Sequence, residues 1–375
     1  KEVVKALVAL YHQGKFDEIL KQENELINLY PDSVDLYNIF GSTNLALNQF
    51  KNAIGNFKKA IKINPNLPII FYNLGLSFHY DKNFESALSS YEKAIKLNPD
   101  HADTYCNMGM SFNEKGDFKR AIKSYRKTLE INPDHIGAHY NLGAIYSKTG
   151  ELNLAIKNYK KATSLNPKNA SSYNSLGEVY YKMGNLNESI INYKKAIELQ
   201  PTFWQAYNNL GIALKDQGKL EEAIEAFNKA ISIKPDYATA KHMLSALTGN
   251  TNETAPREYV ENLFDDYAKK FEISLVDKLE YKIPKLIRDI LIKPNNKKTL
   301  GSVLDLGCGT GLLGPEIKNH CSKLEGIDLS NKMLTLAKQK NIYDKLSQFD
   351  IVEYLSTTPL GFDYYVALDV FIYVG

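Results

Sequence analysis

The stretch Val303-Leu-Asp-Leu-Gly-Cys-Gly-Thr-Gly-Leu-Leu-Gly314 decides the fold of the carboxyl-terminal third of the chain. Val303–Leu306 reads as a short buried strand. Glycines follow at every second position, Gly307, Gly309 and Gly311. A helix is expected from about Gly311 to His320, with Pro315 tolerated in its first turn. A strand that breaks into a glycine-rich turn and opens a helix forms a ligand cradle. Glycine lets the backbone approach a ligand and adopt positive φ. The free N–H groups at a helix start attract a carboxylate or a phosphate.

Two ligands compete for such a cradle. Gly309-x-Gly311-x-x-Gly314 satisfies the dinucleotide pattern G-x-G-x-x-G. Asp305, two residues before the first glycine, argues for a different ligand. A carboxylate there suits a molecule carrying an ammonium and a sulfonium, as S-adenosylmethionine does, and suits a pyrophosphate poorly. Strand two, Lys323–Ile327, ends at Asp328. An acid about 20 positions beyond the glycine loop, at a strand end, can take both ribose hydroxyls. Leu329 and Met333 are placed to cover an adenine face. Ser330 suits the N-cap of a helix over Asn331–Lys340.

Leu304-Asp-Leu-Gly-Cys-Gly-Thr-Gly311 resembles the first motif of class I S-adenosylmethionine-dependent methyltransferases. The resemblance implies an α/β Rossmann-like class I methyltransferase domain with S-adenosylmethionine as cofactor. It places Asp305, Gly307, Gly309, Gly311, Asp328 and Leu329 in the cofactor site. Strand three is expected near Leu346–Phe349, with Asp350-Ile351 after it. The resemblance implies that Asp350 meets the adenine amino group and the Ile351 backbone N–H meets the ring. Strand four is expected over Tyr364–Val370. Asp369, near its carboxyl end, and Tyr373 are the candidates for a catalytic role. The family fold places further strands and helices after strand four. Residues 257–375 are therefore expected to hold strands one to four of an incomplete domain, a fragment inactive by itself.

At 375 residues, two domains or one domain plus a repeat array are expected. The share of apolar residues, 44%, and of charged residues, 24%, is ordinary for a soluble globular chain. A net charge of +3 and only four arginines (120, 126, 257, 288) give no nucleic-acid footprint. Cys106, Cys308 and Cys321 form no metal-type spacing and suit a reducing, cytoplasmic compartment. No signal peptide or 18-residue apolar run is visible, so neither a membrane nor a metal is expected.

The first two thirds repeat. Pro31, Pro65, Pro99, Pro133, Pro167, Pro201 and Pro235 stand 34 residues apart. Gly41, Gly75, Gly109, Gly143, Gly177 and Gly211 keep the same period, each after an apolar residue. Ala53, Ala87, Ala121, Ala155 and Ala223 follow twelve later, with Ser189 breaking the set. Phe57, Tyr91, Tyr125, Tyr159, Tyr193 and Phe227 come next, then Ala60, Ala94, Ala162, Ala196 and Ala230, with Thr128 as the exception. Each unit reads as two helices that approach closely at the small residues beside one aromatic ring, with proline ending the second helix. The pattern resembles the tetratricopeptide repeat. Residues 1–247 are expected to form an α-superhelical solenoid: a degenerate first repeat keeping Gly14 and Pro31, full repeats over 34–237, and a capping helix over 238–247.

Stacked repeats of this kind form a concave groove lined by first helices. Asn73, Asn107, Asn141 and Asn209 share one position there, interrupted by Ile39 and Ser175. Asn is a poor helix former, so four of them inside helices need a reason. One amide can donate to and accept from a peptide backbone, and the ladder is expected to stand free of intramolecular partners. The repeats resemble those of the O-linked N-acetylglucosamine transferase, where an Asn ladder is implied to hold an extended peptide. The other reading is a solvated face on which Asn is merely the common residue. His135 and His139 are four apart; their places, in a turn and at a core position, point to packing rather than metal.

Thr248–Pro256 loses every repeat signal and reads as a linker. An amphipathic helix follows, Tyr259 to about Phe271, and another over Ile283–Ile292. Phe264-Asp265-x-x-Ala268-x-x-Phe271-Glu272 is similar to the Phe-Asp-x-x-Ala-x-x-Tyr-Asp motif of ubiquinone/menaquinone-type methyltransferases, which implies that this segment folds over the cofactor. The whole chain resembles a tetratricopeptide-repeat methyltransferase whose solenoid recruits a protein or peptide. The alternative is an interaction scaffold with a vestigial cofactor domain.

Overall fold

Every 34 residues the amino-terminal part of the chain repeats one packing event, a helical glycine pressed against an aromatic ring. In the computed structural model, which describes residues 2–249, 257–272, 281–292 and 299–368, Gly41 meets Phe57, Gly75 meets Tyr91, Gly109 meets Tyr125, Gly143 meets Tyr159 and Gly177 meets Tyr193. A Cβ on any of these glycines would stand 2.4–2.8 Å from a ring carbon, well inside van der Waals contact. The five rings are buried, as are Ala53, Ala87, Ala121 and Ala155 beside them. The glycine sits in the first helix and the ring in the second, so the pair sets how closely the two helices pack. Those pairs are Val34–Ala46 with Phe50–Ile63, Pro68–Tyr80 with Phe84–Leu97, Ala102–Glu114 with Phe118–Ile131, Ile136–Thr149 with Leu152–Leu165, and Ala170–Lys182 with Leu186–Leu199.

Two features close each repeat. The turn between helices holds one residue in the left-handed region: Asn48, Lys82, Gly116, Gly150 and Gly184, again 34 apart. Gly14, at φ +71°, stands 34 residues before Asn48 and is the one member of this series that the sequence reading used. Asn83, Asp117 and Asn185 then cap their helices, each side chain accepting the N–H three residues on.

The chain divides into two units, residues 1–217 and 218–375. The second opens with the helices Leu220–Ile233 and Ala238–Thr248, followed by a lead-in helix, Arg257–Glu272, and the helix Ile283–Ile292. Thr248, expected in the linker, ends a helix, and Gly249 closes it at φ +73°. Residues 250–256 lie outside the described residues.

The second unit is built on a parallel sheet of β1 (Ser302–Leu306), β2 (Lys323–Asp328), β3 (Lys345–Gln348) and β4 (Tyr364–Ala367), in the order β3-β2-β1-β4. Alternate residues serve opposite faces. Val303 packs with Leu313, Ile317, Leu324 and Val366 on one side. Leu304 and Leu306 pack with Ile327 and Ile351 on the other. The chain leaves β1 toward β2 and β3, then returns to β1's other side with β4. That reversal opens a crevice at the carboxyl ends of the strands, where such sheets bind ligands.

Two expectations need correction. The helix after the glycine loop begins at Gly314, not Gly311, and runs only to Ile317 before a 3₁₀ turn, Lys318–His320. Gly311 has φ +79°, which no right-handed helix accommodates. A helix over Ile351–Thr357 was not expected at all. Among the described residues, no helix is long and apolar enough to cross a membrane.

The repeat contact is testable with two alanines. Gly143→Ala should destabilise the first unit by about 1–3 kcal/mol, because the methyl group meets the buried Tyr159 ring. Gly55→Ala should stabilise it by about 0.5–1 kcal/mol, since Gly55 lies inside a helix with nothing within 4 Å of the new atom. Urea melts followed by circular dichroism read both signs.

Candidate functional site

Asp305 and Asp328 come together at the carboxyl edge of β1 and β2. Asp305 shares the β1 face of Val303 and is 2% exposed. Its Oδ2 accepts a 2.6 Å hydrogen bond from the Tyr343 hydroxyl. Asp328, the last residue of β2, accepts the Gly309 N–H at Oδ2 and the Ser330 N–H at Oδ1, each at 2.8 Å. Among the described residues neither carboxylate has a salt bridge. Burial pushes the Asp305 carboxyl up to about 7, against the Tyr343 hydrogen bond and with the help of Asp328. Burial also raises Asp328, opposed by the backbone N–H groups of Ser330, Gly309 and Leu329.

The glycine loop has the geometry its composition suggests. Gly307, Gly309 and Gly311 have φ of +69°, +55° and +79°. The loop is pinned by Cys308 N–H to Ile327 O at 2.9 Å and Gly311 N–H to Cys308 O at 2.8 Å. A Cβ on Gly309 would reach the Phe271 ring at 3.7 and 3.9 Å, so this glycine keeps open the space between loop and lead-in helix. Gly311 and Gly314 make room for a protein side chain instead: a Cβ on either would stand 3.0 or 2.8 Å from the Tyr343 ring. The last two glycines of the dinucleotide pattern thus admit the tyrosine that binds Asp305. With a four-residue helix behind it and two carboxylates beside it, one buried and one half-buried, the loop suits a cation better than a pyrophosphate.

The remaining expected residues fall on both sides of the crevice. Leu329 is half-buried, and its carbonyl accepts from Gln348 Nε2 at 2.9 Å. Asp350 Oδ1 caps the helix Ile351–Thr357 by accepting the N–H groups of Val352 and Glu353, at 2.9 and 3.0 Å. The Ile351 side chain is buried beneath the sheet edge. Met333, expected to cover adenine, is only 1% exposed and belongs to the core. Asp369 and Tyr373 lie outside the described residues.

The sequence reading missed Tyr343 and the extent of the lead-in helix. Arg257, Glu261, Asp265, Ala268 and Glu272 are spaced three or four apart and form one helical stripe. Arg257 pairs with Glu353 at 2.7 Å, Glu261 accepts from Gln348 at 3.0 Å, Asp265 accepts from Ser330, and Glu272 pairs with Lys340 at 2.6 Å. Burial pushes Glu272 up, and Lys340 brings it below its usual range. Charged residues at four of these five positions, with Ala268 as the exception, were the available signal.

In the first unit the Asn positions are not free, contrary to expectation. Asn73 Nδ2 donates to Asn38 Oδ1 at 3.2 Å, and Asn107 Nδ2 donates to Tyr72 Oη at 3.0 Å. Asn209 Nδ2 donates to Asn174 Oδ1 and Glu178 Oε1, both at 3.2 Å. The amides of Asn73, Asn107 and Asn209 each tie their helix to the preceding repeat. Asn209 also lines a cleft with Glu178, Tyr181, Lys182, Tyr193 and Ile212. His135 bonds Asp103 and caps its helix, while His139 bonds Asn158 and Pro133 O. Among the described residues no His, Cys, Asp or Glu cluster could hold a metal.

Comparison with known proteins finds repeat families in the amino-terminal part of the chain and a methyltransferase family after them. Tetratricopeptide-repeat families match residues 41–82, 109–150, 145–184 and 178–218, residues 68–101 and 204–237, and residues 90–123. A methyltransferase-domain family matches residues 303–374. An uncharacterized methyltransferase of Schizosaccharomyces pombe is 40% identical over 57 residues, 15% of this chain and 22% of that protein. Among solved structures, the APC/C hetero-tetramer Cut9–Hcn1 is similar at TM-score 0.53 and 18% identity, over 64% of this chain and 48% of that one. The carboxyl-terminal part of a repeat protein of Cytophaga hutchinsonii is similar at TM-score 0.52 and 18% identity, over 64% and 99%. These two likenesses concern the fold. The chain spans about a fifth of the curated methyltransferase and about half of the Cut9–Hcn1 chain.

The buried acid predicts a pH dependence. A carboxyl raised from its ordinary value of 3.8 to about 7 favours the folded state most below pH 4, and that contribution is lost as pH rises through about 7. The sheet domain should therefore lose stability between pH 4 and 8. Asp305→Asn should flatten that slope and raise stability at pH 8 by about 2 kcal/mol or more. Thermal melts across this range check it; parallel curves for the two proteins would refute it.

Proposed function

The chain belongs to the tetratricopeptide-repeat proteins and carries a methyltransferase domain, and on that premise we propose that it is an S-adenosylmethionine-dependent methyltransferase whose repeats bring a protein or peptide to it. The observation that carries the reading is a buried carboxylate, Asp305, and a half-buried one, Asp328, neither with a salt bridge among the described residues, flanking a positive-φ glycine loop. Two acids at one strand edge create a negative, poorly solvated field. A ligand with an ammonium and a sulfonium relieves it.

When bound, S-adenosylmethionine supplies an electrophilic methyl group on sulfur. The chain's own residues hold and orient. Asp328 already takes one backbone N–H at each oxygen, and the remaining lone pairs are available to a ribose diol. Asp305, aimed by Tyr343, faces the cationic end. Leu329, Asp350 and Ile351 border the adenine side. Phe271 covers Gly309 and excludes water from the loop. Displacement at a sulfonium draws much of its rate from in-line positioning and water exclusion, which this arrangement favours without a strong acid or base.

The Asn ladder retains a role in partner binding. One amide N–H of Asn73 and of Asn107 is spent on the preceding repeat. The other N–H and the amide oxygen are left to a ligand, and the inter-repeat bond holds them in one orientation. Such preorganisation lowers the ordering cost of binding an extended peptide.

Isothermal calorimetry should detect S-adenosylmethionine binding to the full chain, and Asp328→Ala should weaken it by about 1.5–3 kcal/mol, as for a charged hydrogen-bond acceptor. Tighter binding of a nicotinamide dinucleotide would overturn the cofactor assignment.

The triple change Asn73→Ala, Asn107→Ala and Asn141→Ala should weaken partner capture roughly a hundredfold, at about 1 kcal/mol for each lost contact. It should also cost stability through the lost inter-repeat bonds, while cofactor affinity stays unchanged. Unaltered capture by a folded triple variant would assign the ladder to structure alone.

A further inference from the structure

Asp328 is flanked by two residues that the lead-in helix holds in place. Ser330 donates its N–H to Asp328 Oδ1 at 2.8 Å and its hydroxyl to Asp265 Oδ1 at 2.5 Å. The same Asp265 oxygen accepts the Lys332 N–H at 3.2 Å, with the Lys332 ammonium 3.6 Å from Oδ2. Leu329 is held through its carbonyl by Gln348, whose amide also donates to Glu261, one turn before Asp265. A fully buried serine therefore joins two carboxylates 63 residues apart in the chain, 328 against 265.

The hydroxyl bookkeeping gives this link a consequence. Serine has one O–H hydrogen and two acceptor lone pairs. Here the Ser330 oxygen accepts the Met333 N–H at 3.1 Å, and its hydrogen goes to Asp265. It is thereby kept away from Asp328, whose outward lone pairs stay open. The two N–H groups on Asp328, from Gly309 and Ser330, come from separate segments and together set the carboxylate plane. One of those segments is held from behind by Asp265.

We infer that Asp265 is a positioning residue: through Ser330 it orients the Asp328 carboxylate to read the ribose hydroxyls of an adenosyl ligand. The inference rests on the cofactor assignment made above. It gives the lead-in helix a part in ligand selection as well as in covering the loop.

The test compares S-adenosylhomocysteine with its 2′-deoxyribose analogue by calorimetry on the full chain. The parent protein should prefer the ribose form at least tenfold, the worth of about one charged hydrogen bond. Asp265→Ala should reduce that preference to within about threefold while S-adenosylhomocysteine binding remains measurable. Asp265→Asn keeps an acceptor oxygen and should retain the preference. Ser330→Ala should reproduce the loss, and combining it with Asp265→Ala should add nothing further. Helicity by circular dichroism verifies that each variant folds. A folded Asp265→Ala protein with unchanged preference, or one that loses both ligands in equal proportion, overturns the inference and leaves the cofactor assignment standing. A parent protein that binds neither ligand, or binds both alike, overturns the assignment of Asp328 and the inference with it.

Discussion

Asp305 is removed from water and Asp328 half-removed, at the ends of two neighbouring strands, with no salt-bridged cation among the described residues to offset them. Much of the second unit is arranged around that constraint. Backbone N–H groups of Gly309 and Ser330 solvate Asp328, and a tyrosine hydroxyl solvates Asp305. The glycines of the loop are needed for both: Gly309 supplies an N–H, and Gly311 and Gly314 leave room for the tyrosine ring. On the proposed function, a positively charged ligand would offset that cost.

The first unit solves a different problem with one repeated contact. Glycine against a buried ring fixes the distance between the two helices of a repeat, and the Asn amides and tyrosine hydroxyls bond one repeat to the next. Stability in such an array is a sum over near neighbours. The polar positions that join repeats are the same ones that keep an amide oxygen available. On the proposed function, cohesion and recognition would be carried by the same side chains.

The lead-in helix connects the chemistry of the edge to the rest of the domain. Its stripe of charged residues spans from Glu353 through Gln348 and Ser330 to Lys340, reaching three separate segments after the glycine loop. These contacts are exposed or half-buried, and individual surface ion pairs contribute little stability. Their combined effect is geometric: they set where the residues after β2 lie relative to Gly309 and Phe271.

What the amino-acid sequence determined by itself was everything governed by local spacing. The 34-residue phase survives intact because glycine and ring are separated by a constant sixteen residues, so one short motif repeats its own packing. The strands β1 and β2 and the acids near their ends were legible because apolar runs ending in Asp or Gly mark buried parallel strands and their edge. Only the tertiary structure decided the partners. Tyr343 lies 38 residues from Asp305, and Asp265 lies 65 from Ser330. No periodicity links such positions, and several hydroxyls and carboxylates of equal chemistry compete for each bond. The helix start slipped from Gly311 to Gly314 for the same reason: pattern marks where glycine permits a turn, but the folded loop, closing over Tyr343, decides which glycine turns and which one starts the helix.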